Sequence, residues 1–123
     1  MGYIKNRIYA IRFAVSGVYS AFRKETHLKL MLLTAIMVVF FGTYAGIGKT
    51  EWILVLACIT LVICLEMFNS AIEKLCNQLH PEKDPNIKYI KDVCAGAVLI
   101  ACLFSMATGL IIFIPYVNRL LGS

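Results

Sequence analysis

Five polar residues break an apolar run in the middle of the chain: Glu66, Asn69, Ser70, Glu73 and Asn77. Their spacings of 3, 1, 3 and 4 put all five on one face of an α-helix. Asn and Ser on such a face commonly do no more than join helices by hydrogen bonds. Two glutamates are harder to explain that way, because they repel each other. An ionisable group among apolar neighbours also costs several kcal/mol unless it meets a partner or a polar cavity. A cation between the carboxylates would remove the repulsion, and hard ions such as Mg2+ take carboxylate oxygens.

Two other places can supply chemistry to that face. Glu25 stands between basic residues, with Arg23, Lys24 and His27 around it, and Lys91-Asp92 form an adjacent charged pair. Taken singly, each reads as a solvated boundary residue. Together, carboxylates, an amide, a lysine and a divalent metal are what phosphoryl transfer from a nucleotide needs. Neither a Walker loop nor a kinase glycine loop is present, which excludes the soluble kinase folds built on them.

The elements that must position these groups are helices in a membrane. Of the 123 residues 60% are hydrophobic and 15% charged, more apolar surface than a single domain of this size can hide in its own core. Ile4, Ile8, Ile11, Val15, Val18 and Phe22 repeat at four and three, predicting an amphipathic helix over about 4–23. Its cations fall to one side of that stripe, as in helices that lie in the membrane interface. Apolar stretches over about 28–48, 51–77 and 89–115 are each long enough to cross a bilayer. Pro115 is expected to close the third, and His80-Pro81 and Asp84-Pro85 to break the chain before it. The fold expected is all-α, a surface helix followed by three transmembrane helices, in one domain. Cys58, Cys64, Cys76, Cys94 and Cys102 form no CxxC pair and read as small hydrophobes in helices.

Charge orients the chain. Six of the twelve Lys/Arg (Lys5, Arg7, Arg12, Arg23, Lys24, Lys29) precede or open the first span, and Lys74, Lys83, Lys88 and Lys91 surround the second loop. The other side has Lys49 and Arg119. This uneven net charge of +5 reflects membrane topology rather than a nucleic-acid partner, and puts the N-terminus and the 78–90 loop in the cytoplasm.

The run LEMFNSAIEKL, followed after a polar loop by KDVCAGAVLIA, resembles the small prokaryotic diacylglycerol kinase/undecaprenol kinase family. The resemblance covers about residues 10–114 and implies a homotrimeric lipid kinase of the cell membrane, using ATP and Mg2+. It implies Glu66 as general base with Asn69 beside the reacting groups, and Glu25 and Glu73 as metal-binding acids at the nucleotide. It further implies nucleotide contacts from Lys91 and Asp92 and from the loop residues Glu82, Lys83 and Asp84. The runs FRKETHLK at 22–29 and HPEKDP at 80–85 look nearer the undecaprenol-type members. Three positions depart from the family pattern: Asn77 stands for an aspartate, Phe13 for a tyrosine, and Asn6-Arg7 lies near a basic residue of some members.

Two other classes of function use intramembrane carboxylates. A small transporter or ion-conducting oligomer needs polar groups along the whole depth of a span, but residues 53–65 offer only Thr60. A structural subunit would use the glutamates merely to fix helix packing. Separately, Gly42-x-x-x-Gly46 and Ala95-Gly96-Ala97 allow close approach of helices, a weak sign of oligomerisation.

Overall fold

A computed structural model describes residues 2–79 and 84–122. It contains four helices: α1 (Gly2–Lys24), α2 (Thr26–Ala45), α3 (Lys49–Leu79) and α4 (Pro85–Leu120). The last three are long and apolar enough to cross a bilayer. Helix α1 buries no residue, and its stripe of Ile4, Ile8, Ile11, Val15 and Val18 stays exposed. Five cations and no acidic residue lie along it (Lys5, Arg7, Arg12, Arg23, Lys24), the pattern of a helix floating at an anionic surface. Helices α3 and α4 form the closest pair, with α2 laid against α3.

The α2–α3 connection is fixed by backbone chemistry. Gly46 adopts the left-handed conformation (φ 70°, ψ 43°), which an L side chain resists and glycine does not. Its N–H donates to the Thr43 carbonyl at 3.3 Å, and the Ile47 N–H donates to the Gly42 carbonyl at 3.2 Å. These two bonds satisfy carbonyls that the helix end would otherwise leave bare. Ile47 is then buried with Val55 and Ile112, and Val38, Trp52 and Phe113 pack against that cluster.

Next to the turn, Glu51 carries two bonds on one oxygen. Its Oε1 accepts from the Gly48 N–H at 3.0 Å, closing the start of α3, and from the Tyr116 hydroxyl at 2.7 Å. The Arg119 guanidinium sits 4.8 Å from the Tyr116 ring centroid, within cation–π range. Phe41 and Phe113 meet with ring centroids 5.1 Å apart. One end of the three-helix unit is thereby clasped by residues from α2, α3 and α4.

One proline acts otherwise than its sequence context implies. Asp84-Pro85 does mark a break before α4, with Pro85 opening that helix at a position whose N–H has no helical acceptor, while His80-Pro81 lies outside the described residues. Pro115 does not end α4, which continues to Leu120. A proline removes only its own N–H, here the donor to the Ile111 carbonyl, whereas unwinding in apolar surroundings would strand several backbone groups. The bond from Tyr116 to Glu51 holds the turn that follows.

Gly42 is the tightest contact of the clasped end. A Cβ there would lie 3.0 Å from the Trp52 ring and 3.2 Å from Ile47 Cδ1, so this glycine admits α3 within the same chain. Gly96, by contrast, faces open space. Gly42→Val should destabilise the protein by about 1–3 kcal/mol through overpacking. Thermal unfolding in detergent micelles measures this, and an unchanged midpoint would mean that Trp52 is free to move aside.

Candidate functional site

The site lies at the opposite end, where α1 meets α2 and where α3 approaches α4. Glu25 is the single residue between α1 and α2, with extended backbone (φ −96°, ψ 117°). Its N–H still donates to the Ala21 carbonyl at 2.9 Å, and its own carbonyl accepts from the Lys29 N–H at 3.3 Å. The side chain makes no capping bond, so the carboxylate is available elsewhere. Leu28, fully buried, anchors the first turn of α2 and with it the position of Glu25 and His27.

The described residues Glu25, His27, Glu66, Ser70, Glu73, Lys74 and Asn77 line one cavity of about 300 Å³. Four of the five polar residues of the α3 face are among them. The fifth, Asn69, is half-buried with its side chain within hydrogen-bonding reach of the Glu66 carboxylate. Glu66 is 6% exposed and is the one buried charged residue among those described. His27, Glu73 and Glu25 share its cavity. It sits about 12 Å along the helix from Lys74, at 1.5 Å per residue, so α3 carries it well below the charged rim.

Helix α4 divides its adjacent charged pair. Lys91 Nζ donates to Asn77 Oδ1 on α3, so it reaches the edge of the cavity. Asp92, about 100° further round the helix, accepts instead from Lys88 at 2.7 Å in an exposed ion pair. Asp84 caps α4, its Oδ1 accepting from the Asn86 N–H at 2.8 Å. That capping role and the Lys88 partnership went unread in the sequence, although both spacings are visible there. Glu82 and Lys83 lie outside the described residues.

Four cavity residues have no site role assigned from the sequence: His27, Ser70, Lys74 and Asn77. Ser70 and Lys74 follow Glu66 at steps of four, and His27 follows Glu25 by two, so the spacing signal was present. A larger cavity of about 390 Å³ lies at the clasped end, lined by Tyr44, Ala45, Tyr116, Arg119 and Leu120. Its lining has one cation and no carboxylate, and so lacks the acid–base and metal-binding groups of the first.

Among the described residues no three His, Cys, Asp or Glu side chains converge as a metal cage. Glu25 and Glu73 offer two hard oxygen donors to one space. That set suits Mg2+ arriving with a nucleotide, since Mg2+ keeps waters and phosphate oxygens and needs one or two carboxylates. It does not suit a resident ion held by protein alone.

The family model for prokaryotic diacylglycerol kinase matches residues 12–113, taking in α2, α3 and most of α1 and α4. The chain belongs to that family. It is a membrane lipid kinase. Among curated relatives, it is 29% identical over 99 residues to an undecaprenol kinase of Bacillus subtilis, covering 80% of each chain. It is also 29% identical over 107 residues to a diacylglycerol kinase of Haemophilus influenzae, covering 86% of this chain and 91% of the other. A diacylglycerol kinase of Pseudomonas aeruginosa is 26% identical over 98 residues, 80% of each chain.

Three carboxylates in one cavity store repulsion that packing alone does not require. Glu66→Gln keeps the shape and removes one charge, so thermal stability should be unchanged or raised by up to about 1 kcal/mol. A loss of several kcal/mol in the micelle-bound protein would instead make Glu66 a packing residue.

Proposed function

We propose that this kinase transfers the γ-phosphoryl group of ATP to the hydroxyl of a membrane lipid alcohol, with Glu66 as general base. The observation that carries this reading is the burial of Glu66 in a cavity shared with Glu25 and Glu73. The lipid O–H gives its proton to the Glu66 carboxylate as the oxygen bonds to the γ-phosphorus. The bond from that phosphorus to the β–γ bridging oxygen breaks, and ADP leaves with the electron pair. Glu66 then returns the proton to water. A general base of this kind contributes about 10²–10⁴-fold to rate.

The remaining residues bind and orient. Asn69 steadies the Glu66 carboxylate from one turn away. Glu25 and Glu73 would hold Mg2+, which when bound neutralises phosphate charge as it develops. Lys91 supplies a cation to the phosphates, while Asp92 and the loop residues Glu82, Lys83 and Asp84 are assigned to nucleotide by family resemblance. The positive charge at this end supports a cytoplasm-facing site in the cell membrane, where ATP is available. The family resemblance supports a homotrimer.

Undecaprenol and diacylglycerol are the candidate substrates, and both kinds of kinase occur among the relatives. The 22–29 run favours undecaprenol. Purified protein given labelled ATP and each lipid in turn should phosphorylate at least one. Glu66→Gln should lower that rate by about 10²–10⁴-fold. The reading fails if the folded wild type labels neither lipid, or if the variant keeps full activity.

Removing one metal-binding carboxylate should change the metal requirement rather than the fold. Glu73→Gln is expected to raise the Mg2+ concentration for half-maximal activity by about tenfold, one lost charge-assisted contact. Titrating Mg2+ at saturating ATP checks this, and an unshifted curve would remove Glu73 from the metal site.

A further inference from the structure

The cavity at the clasped end carries a charge that the fold does not use. Tyr44 and Ala45 of α2 and Tyr116, Arg119 and Leu120 of α4 enclose about 390 Å³, a volume within the range of small-ligand sites. One turn further in on both helices, Phe41 and Phe113 meet, so the cavity opens toward the helix ends. Tyr44 and Leu120 stay exposed, so it is open sideways as well.

Arg119 is the cation of that lining. Its guanidinium lies 4.8 Å from the Tyr116 ring centroid, and among the described residues it makes no hydrogen bond or ion pair. Glu51, the carboxylate at this end, is turned to the Gly48 N–H and the Tyr116 hydroxyl and does not line the cavity. Tyr116 is thus held by Glu51 through its hydroxyl and holds Arg119 on its face. The last carbonyls of α2 and α4 also lie here, and those of Gly42, Thr43, Val117 and Arg119 each accept from a backbone N–H. They do not engage the guanidinium. Its planar fork of donors is left, the geometry that takes two oxygens of a phosphate at once.

The surroundings indicate the source of that phosphate. Helices α2 and α4 are long enough to cross a bilayer and end at this level. Tyr44, Trp52 and Tyr116 lie there too, as aromatic side chains do at the headgroups. No carboxylate among the described residues lines the cavity to receive the ammonium of a zwitterionic headgroup. We propose that this cavity binds the phosphodiester headgroup of an anionic phospholipid, from the leaflet opposite the polar cavity, with Arg119 on the phosphate. Tyr116 and Arg119 lie beyond residues 12–113 that match the family, and the site is independent of the kinase reading.

Trp52 is the single tryptophan of the chain and packs at this end. The basic helix α1 joins the other end, about 30 Å away across a bilayer. Trp52 fluorescence therefore reports lipid here without a contribution from α1. The full chain in mixed micelles is given phosphatidylglycerol or phosphatidylcholine with brominated acyl chains, which quench a nearby indole. Phosphatidylglycerol should be preferred by about three- to tenfold. Arg119→Gln should bring the two lipids level, whereas Lys49→Gln, at the same end but outside the lining, should keep most of the preference. Equal quenching by both lipids in the wild type, a preference that survives Arg119→Gln, or one that Lys49→Gln also abolishes would overturn the proposal. Excess glycerol 3-phosphate at constant ionic strength should leave the quenching unchanged. Displacement by it would make this a site for soluble phosphates and overturn the lipid assignment.

Discussion

The organisation of this protein depends on keeping a carboxylate out of water. Glu66 is buried in a molecule whose other buried side chains are mostly Leu, Val, Ile, Ala and Cys. Such a group is tolerated only where polar neighbours converge, and here they come from three directions. The α3 face supplies Asn69, Ser70, Glu73 and Asn77, the α1–α2 joint supplies Glu25 and His27, and α4 supplies Lys91 through Asn77. A single helix could not provide these partners, so the burial of Glu66 requires the bundle.

The two ends of the bundle divide the work. The clasped end has a glycine against an indole, a left-handed turn and one glutamate oxygen shared by two donors. Its turn and its glutamate are hydrogen-bonded, and its apolar cluster ties α2, α3 and α4 together. The cavity end brings Glu25, Glu66 and Glu73 together, and among the described residues no ion pair joins them to a cation. A scaffold fixed at one end can hold repelling groups together at the other.

Much of this was legible in the sequence because the membrane simplifies the code. Long apolar runs can only be helices in lipid, and five polar residues at helical spacing can only share a face. The misreadings have local causes. Pro115 reads as a helix end, yet α4 runs through it because keeping the helix costs less than unwinding it. Lys91 and Asp92 were read as a unit because they are adjacent. Helical geometry sends one to α3 and the other back to Lys88, a step of four that the sequence already contained. Gly42 was read as a surface for another helix of an assembly, but its neighbour is Trp52 of the same chain, a contact that depends on how the α2–α3 turn folds back.

The joint at Glu25 has a mechanical consequence. Two dihedral angles at one residue set the direction of α1 relative to α2, and no spacer separates the helices to absorb a change. The residue that bends is also the one whose carboxylate lines the cavity. Tilting the amphipathic helix, as a thicker or more strongly charged bilayer surface would do, therefore turns a lever whose short arm is a carboxylate of the cavity. In this fold the state of the membrane and the geometry of the polar cavity share a coordinate.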